Sequence, residues 1–137
     1  VIMDTEMVRS GIIKSQLTKQ NELICTTHSS IALDVARKQR MTRSAAAVEQ
    51  WGPYLSGAVV IIGNAPTALF RLLELIAQGA PLPALILGFP VGFIGAAESK
   101  EALIDNAGSI PYATVRGRRG GSAMASAAFN AIGKFSL

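Results

Sequence analysis

The sequence predicts an α/β fold of three layers, in which a doubly wound, mostly parallel sheet of about five strands carries helices on both faces. Short apolar runs rich in valine and isoleucine alternate along the chain with longer stretches of helical periodicity. The later apolar runs are nearly continuous instead of alternating with polar residues, which is typical of parallel strands buried on both faces.

Each element follows from these patterns in chain order. Strands are predicted at residues 1–4, 22–26, 58–63, 84–88 and 110–116. Helices are predicted at residues 29–40, 42–55, 66–78, 96–106 and 122–132. The 137 residues show no linker, internal repeat or low-complexity segment, so we expect a single domain over residues 1–137.

Charge and composition argue against a nucleic-acid-binding protein and against a membrane protein. Thirteen Lys and Arg residues against nine Asp and Glu give a net charge of +4, but the basic residues are dispersed. The longest uncharged segment, residues 79–97, contains several prolines and glycines, so a strand followed by a loop explains it better than a spanning helix. The single cysteine, Cys25, excludes an internal disulfide, which favours a reducing, cytoplasmic location.

Three junctions between a predicted strand and a predicted helix share glycine-rich sequences. They are GNAP at residues 63–66, GFPVGFIGAAES at residues 88–99 and RGRRGGSA at residues 116–123. In a parallel sheet such junctions meet at the carboxyl edge of the strands, where ligands of open α/β folds bind. Pro66 at a first helical position leaves N–H groups of the first turn open to an anion. Glycine turns also serve plain helix–sheet packing, so the residues alone leave both roles open for GNAP.

Several common kinds of site are not supported by the residues. Neither G-x-G-x-x-G nor G-x-x-x-x-G-K-[ST] occurs, which argues against dinucleotide and P-loop nucleotide binding. One histidine, one cysteine and no cluster of carboxylates at ligand spacing predict no metal site. His28 follows a predicted strand end in CTTHSS, but the serines after it form an ordinary helix-cap region, and no G-x-S-x-G nucleophile turn accompanies it. The residue patterns alone leave the function open.

A family resemblance rests on five motifs that occur in order over nearly the whole chain. They are MDTEMVRSGI at residues 3–12, MTRSAA at 41–46, GNAPTALFRLLELI at 63–76, PALILGFPVGFIGAAESKEAL at 83–103 and PYATVRGRRGGSAMASAAFNAI at 111–132. Together they resemble the precorrin-8X methylmutases, also called precorrin isomerases or cobalt-precorrin-8 methylmutases. The combination of GNAPTAL with GFPVGFxGAAESK and RGRxGGSA is the specific part of the resemblance.

The resemblance implies an isomerase of cobalamin biosynthesis with a tetrapyrrole substrate. Such an enzyme moves a methyl group from C11 to C12 of the corrin precursor, giving hydrogenobyrinate, or cobyrinate when cobalt is present, without a cofactor. The resemblance also implies a three-layer α/β fold and a homodimer with active sites near the subunit interface. The substrate is a flat apolar macrocycle fringed by carboxylates, so arginines and helix N-termini suit its fringe and apolar turns its faces.

The resemblance also assigns candidate substrate-binding residues. Arg43, in the TRSAA motif, matches the family's substrate-contacting arginine. The alternative interpretation is an ordinary solvated residue in the first turn of a helix. The remaining candidates lie in the three glycine-rich junctions: Asn64, Thr67, Glu98, Ser99, Lys100, Arg116, Arg118 and Ser122. Each of these could bind the substrate or fasten one loop to another. Asp4 and Glu6 are equally open to both roles, and Arg119 is expected to be surface charge.

One family feature has no counterpart in the 137 residues. The general acid of the family is a histidine in a motif like M-[IV]-H, in an N-terminal segment that would precede Val1. We therefore assign no catalytic residue in this chain, and His28 does not inherit the role. The chain resembles the C-terminal two-thirds of a family member, and we expect it to bind hydrogenobyrinate with little isomerisation. The alternative is a non-catalytic module that binds corrinoids or other tetrapyrroles.

Overall fold

The structure, a computed structural model, describes residues 1–17 and 21–135, and the side chains as far as residue 133. The strands are β1 (Ile2–Met3), β2 (Val59–Ile62), β3 (Leu85–Gly88) and β4 (Tyr112–Thr114). The helices are α1 (Glu6–Gly11), α2 (Ser30–Gln39), α3 (Arg43–Val48), α4 (Gly52–Leu55), α5 (Pro66–Ala77), α6 (Ala96–Asn106) and α7 (Ser122–Phe135), with a 3₁₀ turn at Lys14–Gln16. The α/β fold that the sequence predicts is confirmed.

The four strands form one parallel sheet in the order β1-β2-β3-β4. The predicted strand at residues 22–26 is wrong as a full strand, because it makes a single parallel bridge between Ile24 and Ile2. Its hydrogen bonds run from Ile24 N to Val1 O (2.8 Å) and from Met3 N to Ile24 O (2.9 Å). Since β1 is only two residues long, it offers this outer neighbour no further partner. The described sheet therefore has four strands and one bridge.

The connection from β1 to β2 makes the sheet doubly wound, as predicted. The chain leaves β1, passes the outer side of that strand at Ile24 and then returns to the opposite side as β2. The chain thus reverses its direction across the sheet between β1 and β2. Open α/β sheets place their ligands at the carboxyl side of such a switch point.

Alternation along the strands divides the core into two layers. Ile2, Val60 and Ile86 face a cluster that α3, α5 and α6 complete with Val48, Leu69, Leu72 and Leu103. Met3, Ile61 and Leu87 face a second cluster that α1 and α7 complete with Val8, Ala125 and Phe129. Helices therefore cover both faces of the sheet. This explains why the sequence of β2 and β3 is apolar at every position except glycine.

The predicted helix at residues 42–55 is two helices, α3 and α4. Pro53 has no N–H to donate to a helical carbonyl, and it lies in the first turn of the new short helix instead. Trp51, which precedes the new helix, is fully buried, and its indole N–H donates to Thr26 Oγ1 at 3.1 Å. Helix α1, which the sequence did not predict, begins at Thr5, whose hydroxyl accepts from Met7 N at 3.1 Å.

Segment 79–97 forms strand β3 and an irregular loop before α6, as its prolines and glycines predict. Over residues 1–17 and 21–135, the structure contains no helix that is long and apolar enough to cross a bilayer.

Candidate functional site

Three loops meet at the carboxyl edge of the sheet, and we call them together the rim. They are the β2 loop (63–65), the β3 loop (89–95) and the β4 loop (115–121). Val91 N donates to Asn64 O at 3.3 Å, which joins the first two loops. Gly121 N donates to Phe89 O at 2.8 Å, and Gly92 N lies 3.5 Å from Arg118 O, so the last two loops are also joined. The expectation that the three junctions lie together at one edge is confirmed.

The N–H groups of the β2 loop bind a carboxylate that belongs to the protein itself. Asp4, directly after β1, accepts from Gly63 N at 2.8 Å through Oδ1. Its Oδ2 accepts from Asn64 N at 3.0 Å and from Ala65 N at 2.8 Å. The N–H groups that bind this carboxylate precede Pro66, and they hold Asp4 and not a ligand. Asp4 thus takes the loop-holding role of the two that the sequence left open.

Burial raises the pKa of the Asp4 carboxyl, and the three N–H donors oppose that shift because they favour the charged form. The carboxyl is 2% exposed. A glycine at position 63 is required here, since a Cβ would lie 2.5 Å from Val8 Cγ2 and 3.0 Å from Ser122 Cα. The turn consequently packs tightly between Asp4, α1 and the start of α7.

The MTRSAA motif lies beside the β2 loop. Thr42 caps α3 by accepting from Ala45 N at 3.1 Å, and its hydroxyl lies 2.8 Å from the Thr67 hydroxyl. Arg43 is the first residue of α3 and is exposed, as are Asn64 and Thr67. A groove of about 340 Å³ begins at the two threonines and runs along α5. Arg43, Asn64 and Thr67 are accessible to a ligand in this arrangement.

The ESK motif occupies the first turns of α6 and has one exposed and two buried members. Glu98 is exposed. Ser99 is fully buried, and its hydroxyl donates to Ala96 O at 2.9 Å within the helix. Lys100 is fully buried, and its ammonium donates to Gly117 O at 2.9 Å and to Arg119 O. Burial lowers the pKa of Lys100. Lys100 therefore joins α6 to the β4 loop, whereas the Ser99 hydroxyl bonds only within its own helix.

The β4 loop presents its arginines on the surface. Arg116 Nε lies 3.3 Å from the Glu101 carboxylate, and Arg118 lies over the Phe93 ring at 5.4 Å from the ring centre. Arg119 is exposed, as expected. Ser122 is buried at the start of α7, with its Cα against Gly63. Arg116 and Arg118 are thus accessible to a ligand, whereas Ser122 packs beneath the β2 loop.

The β3 loop has an exposed apolar tip that was not predicted from the sequence. Phe93 and Ile94 are 83% and 93% exposed, and Val91 is exposed beside them. Gly92 and Gly95 flank the tip with φ values of 138° and 86°, which favour glycine. The signal was present as two large apolar residues between glycines, GFIG, in a segment assigned only to a loop. Neighbouring exposed apolar residues of this kind are typical of interaction surfaces.

His28 lies near the carboxyl edge of the sheet, beside the segment that contacts Asp4. His28 is exposed and follows Thr27, whose hydroxyl donates to Asp4 O at 2.6 Å. Over residues 1–17 and 21–135, no group of three or more His, Cys, Asp or Glu side chains is placed to hold a metal ion.

Comparison with known proteins identifies the family. The family described as precorrin-8X methylmutase matches residues 1–135. The precorrin-8X methylmutase of Pseudomonas aeruginosa is 55% identical over 132 residues, which are 96% of this chain and 64% of that protein. The cobalt-precorrin-8 methylmutase of Methanothermobacter thermautotrophicus is 39% identical over 132 residues, 96% of this chain and 60% of that protein.

A solved structure named as a precorrin-8X methylmutase related protein matches with a TM-score of 0.88 and 37% identity. The match covers 98% of this chain and 70% of the other. The chain belongs to the precorrin-8X methylmutase family. The chain spans 64% of the length of the Pseudomonas aeruginosa methylmutase.

The bonds between Asp4 and the β2 loop predict the effect of an amide at this position. In Asp4→Asn one carboxylate oxygen becomes an NH₂ group, which cannot accept from a backbone N–H. We expect the free energy of unfolding to fall by about 1–3 kcal/mol, the cost of leaving buried donors without a partner. Urea denaturation measures the change, and Asp105→Asn, at an exposed carboxylate on α6, is the matched control. Equal midpoints for Asp4→Asn and wild type would contradict this role.

Proposed function

We propose that this chain is the corrin-binding part of an isomerase of cobalamin biosynthesis. The reaction is the intramolecular migration of a methyl group from C11 to C12 of precorrin-8X, which gives hydrogenobyrinate. The observation that carries the proposal is the family match over residues 1–135, together with 55% identity to a precorrin-8X methylmutase. The joined rim loops at the sheet edge support the same conclusion, because ligands of open α/β sheets bind there.

The chemistry of the rim suits a flat apolar macrocycle with a carboxylate fringe. The exposed side chains of Val91, Phe93 and Ile94 supply apolar surface for a face of the ring system. Arg116 and Arg118 lie on the adjacent loop, where guanidinium groups can form paired hydrogen bonds with carboxylates. An apolar loop and a basic loop thus lie next to each other at one edge, which suits such a ligand.

The candidate residues divide by exposure into two proposed roles. The exposed members are proposed to contact the substrate: Arg43, Asn64, Thr67, Glu98, Arg116 and Arg118. The buried members are proposed to act by holding the loops in place: Ser99, Lys100 and Ser122. Both groups stay predictions, because the first depends on contacts with the ligand and the second on their effect on binding.

The methyl shift places one chemical demand that the rim loops do not meet. Protonation of a ring nitrogen makes the ring system electron-poor and drives the migration, so a proton donor must lie within hydrogen-bond reach of the macrocycle. Neither the β2, the β3 nor the β4 loop contains a histidine. In this proposal the described rim binds and positions the substrate. The reaction is an isomerisation, and we propose that it needs no cofactor.

The substrate that we propose is the cobalt-free one. Identity is 55% to a relative named for precorrin-8X and 39% to one named for cobalt-precorrin-8. Competition between hydrogenobyrinate and cobyrinate for the same site measures the preference. We also propose a cytoplasmic location, which fractionation of the source cells tests.

A homodimer is part of the proposal. Strand β4 ends the described sheet, and Tyr112 and Ala113 on it are exposed, so a second copy can cover this edge. Light scattering during gel filtration is expected to give twice the chain mass of 14.4 kDa. Tyr112→Lys, with its charge on the edge, is expected to shift the mass toward a single chain. A monomer at micromolar concentration would overturn this part of the proposal.

Binding and turnover by residues 1–137 are expected to separate. We expect hydrogenobyrinate to bind, with a change in its visible spectrum, while precorrin-8X is converted slowly because the rim offers no placed proton donor. A titration followed by a time course in the same spectrometer measures both. Lack of any binding would contradict the proposed function. Fast conversion would contradict the missing donor and make His28→Ala the next variant, since His28 is the only histidine of the chain.

Arg43 is expected to contribute to affinity without contributing to stability. Arg43→Gln removes one charged hydrogen-bond partner of a substrate carboxylate, worth about 1.5–3 kcal/mol, so the Kd for hydrogenobyrinate is expected to rise at least about tenfold. The thermal midpoint is expected to stay within experimental error, because the side chain is exposed. Arg37→Gln, at an exposed arginine on α2, is the matched control. An unchanged Kd for Arg43→Gln would remove Arg43 from the site.

A further inference from the structure

The burial of Lys100 calls for a physical explanation. Its side chain is fully buried, and burial lowers its pKa. Among the described residues, no carboxylate forms an ion pair with it. A buried ammonium without a counter-ion is a costly way to stabilise a fold, and an apolar side chain of similar size would cost less. The hydrogen-bond partners of the ammonium are therefore the place to look for its role.

Among the described residues, the bonding partners of Lys100 are two backbone carbonyls of the β4 loop. Its ammonium accepts no bond and donates to Gly117 O at 2.9 Å and to Arg119 O. The loop lies at the surface, where both carbonyls could equally turn outward and bind water. The ammonium thus favours the orientation in which both carbonyl oxygens point inward.

The orientation of these carbonyls fixes the orientation of two N–H groups. In a trans peptide the C=O of one residue and the N–H of the next point in opposite directions, and no cis peptide occurs in the described chain. The N–H groups of Arg118 and Gly120 therefore point away from Lys100. In the described residues neither N–H donates to a backbone carbonyl.

We propose that Lys100 is a positioning residue that makes the β4 loop a binding site for a substrate carboxylate. By drawing the carbonyl oxygens of Gly117 and Arg119 inward, it keeps negative dipoles away from the ligand and directs the N–H groups of Arg118 and Gly120 toward it. The Arg118 guanidinium, which lies over Phe93, completes the site from the side. The identity of the ligand in this inference rests on the proposed function. The orientation of the loop by Lys100 is independent of the proposed function.

Two variants of equal reach separate the ammonium from the packing. Lys100→Met fills most of the space without a donor, whereas Lys100→Gln keeps an uncharged N–H donor on a side chain one bond shorter than that of lysine. We expect Lys100→Met to raise the Kd for hydrogenobyrinate about tenfold and to flatten its dependence on salt, and Lys100→Gln to bind more tightly than Lys100→Met. Lys38→Met, at an exposed lysine on α2, is the control and is expected to bind like wild type. Equal Kd values for Lys100→Met and wild type, or for the Met and Gln variants, would overturn the proposal.

Two further measurements keep the inference testable if a variant does not fold or the ligand does not bind. In wild type, the amide signals of Arg118 and Gly120 are expected to shift downfield in ¹H–¹⁵N NMR spectra when hydrogenobyrinate is added, and unshifted signals would overturn the subsite. In the ligand-free protein, Lys100→Met is expected to speed amide exchange about tenfold over residues 116–121 and not over 63–65. Failure of wild type to bind refutes the proposed function, whereas unchanged exchange refutes the hold of Lys100 on the loop.

Discussion

The carboxylate of Asp4 is the constraint on which the carboxyl edge of this fold depends. It follows the shortest described strand and holds three consecutive N–H groups of the β2 loop, which lies 59 to 61 residues further along the chain. These bonds set the end of β2 against β1 at the switch point of the sheet. Gly63, which allows α1 and α7 to approach the same turn, brings both helix layers to this position. The other rim loops are then fastened to the β2 loop in sequence.

The fastening runs outward through backbone bonds. Asn64 O accepts from Val91 N, and Phe89 O accepts from Gly121 N, so each rim loop is held by the one before it. At Gly120 a Cβ would collide with the carbonyl oxygens of Phe89 and Pro90, which explains the glycine at this position. A displacement at the switch point would therefore reach the arginines of the β4 loop. The backbone positions the site, and the exposed side chains give it chemical character.

Sequence periodicity predicted the elements whose signals are local. Helix α5 begins at Pro66 and α6 spans Ala96–Asn106, as expected from their apolar spacing and first residues. Residues 22–26 carry the apolar pattern of a strand, but pairing requires a partner of sufficient length, and that depends on where β1 ends. Lys100 lies in the polar sequence ESKE, which predicts an exposed residue and does not reveal a contact with residues 117 and 119. The sequence left two roles open for GNAP, and the structure decides for Asp4 through a contact that is distant in sequence.

Two buried charges of opposite sign thus complete the rim in complementary ways. Asp4 accepts hydrogen bonds from the N–H groups of the β2 loop, so these groups are not available to an anionic ligand. Lys100 donates hydrogen bonds to two carbonyl oxygens of the β4 loop. In the proposed subsite, that loop therefore presents its N–H groups and arginines to the ligand. The guanidinium of Arg118 lies over the ring of the exposed Phe93, next to the exposed Ile94. In the proposed function, a macrocycle whose carboxylates bind on that side would place its face over the apolar tip.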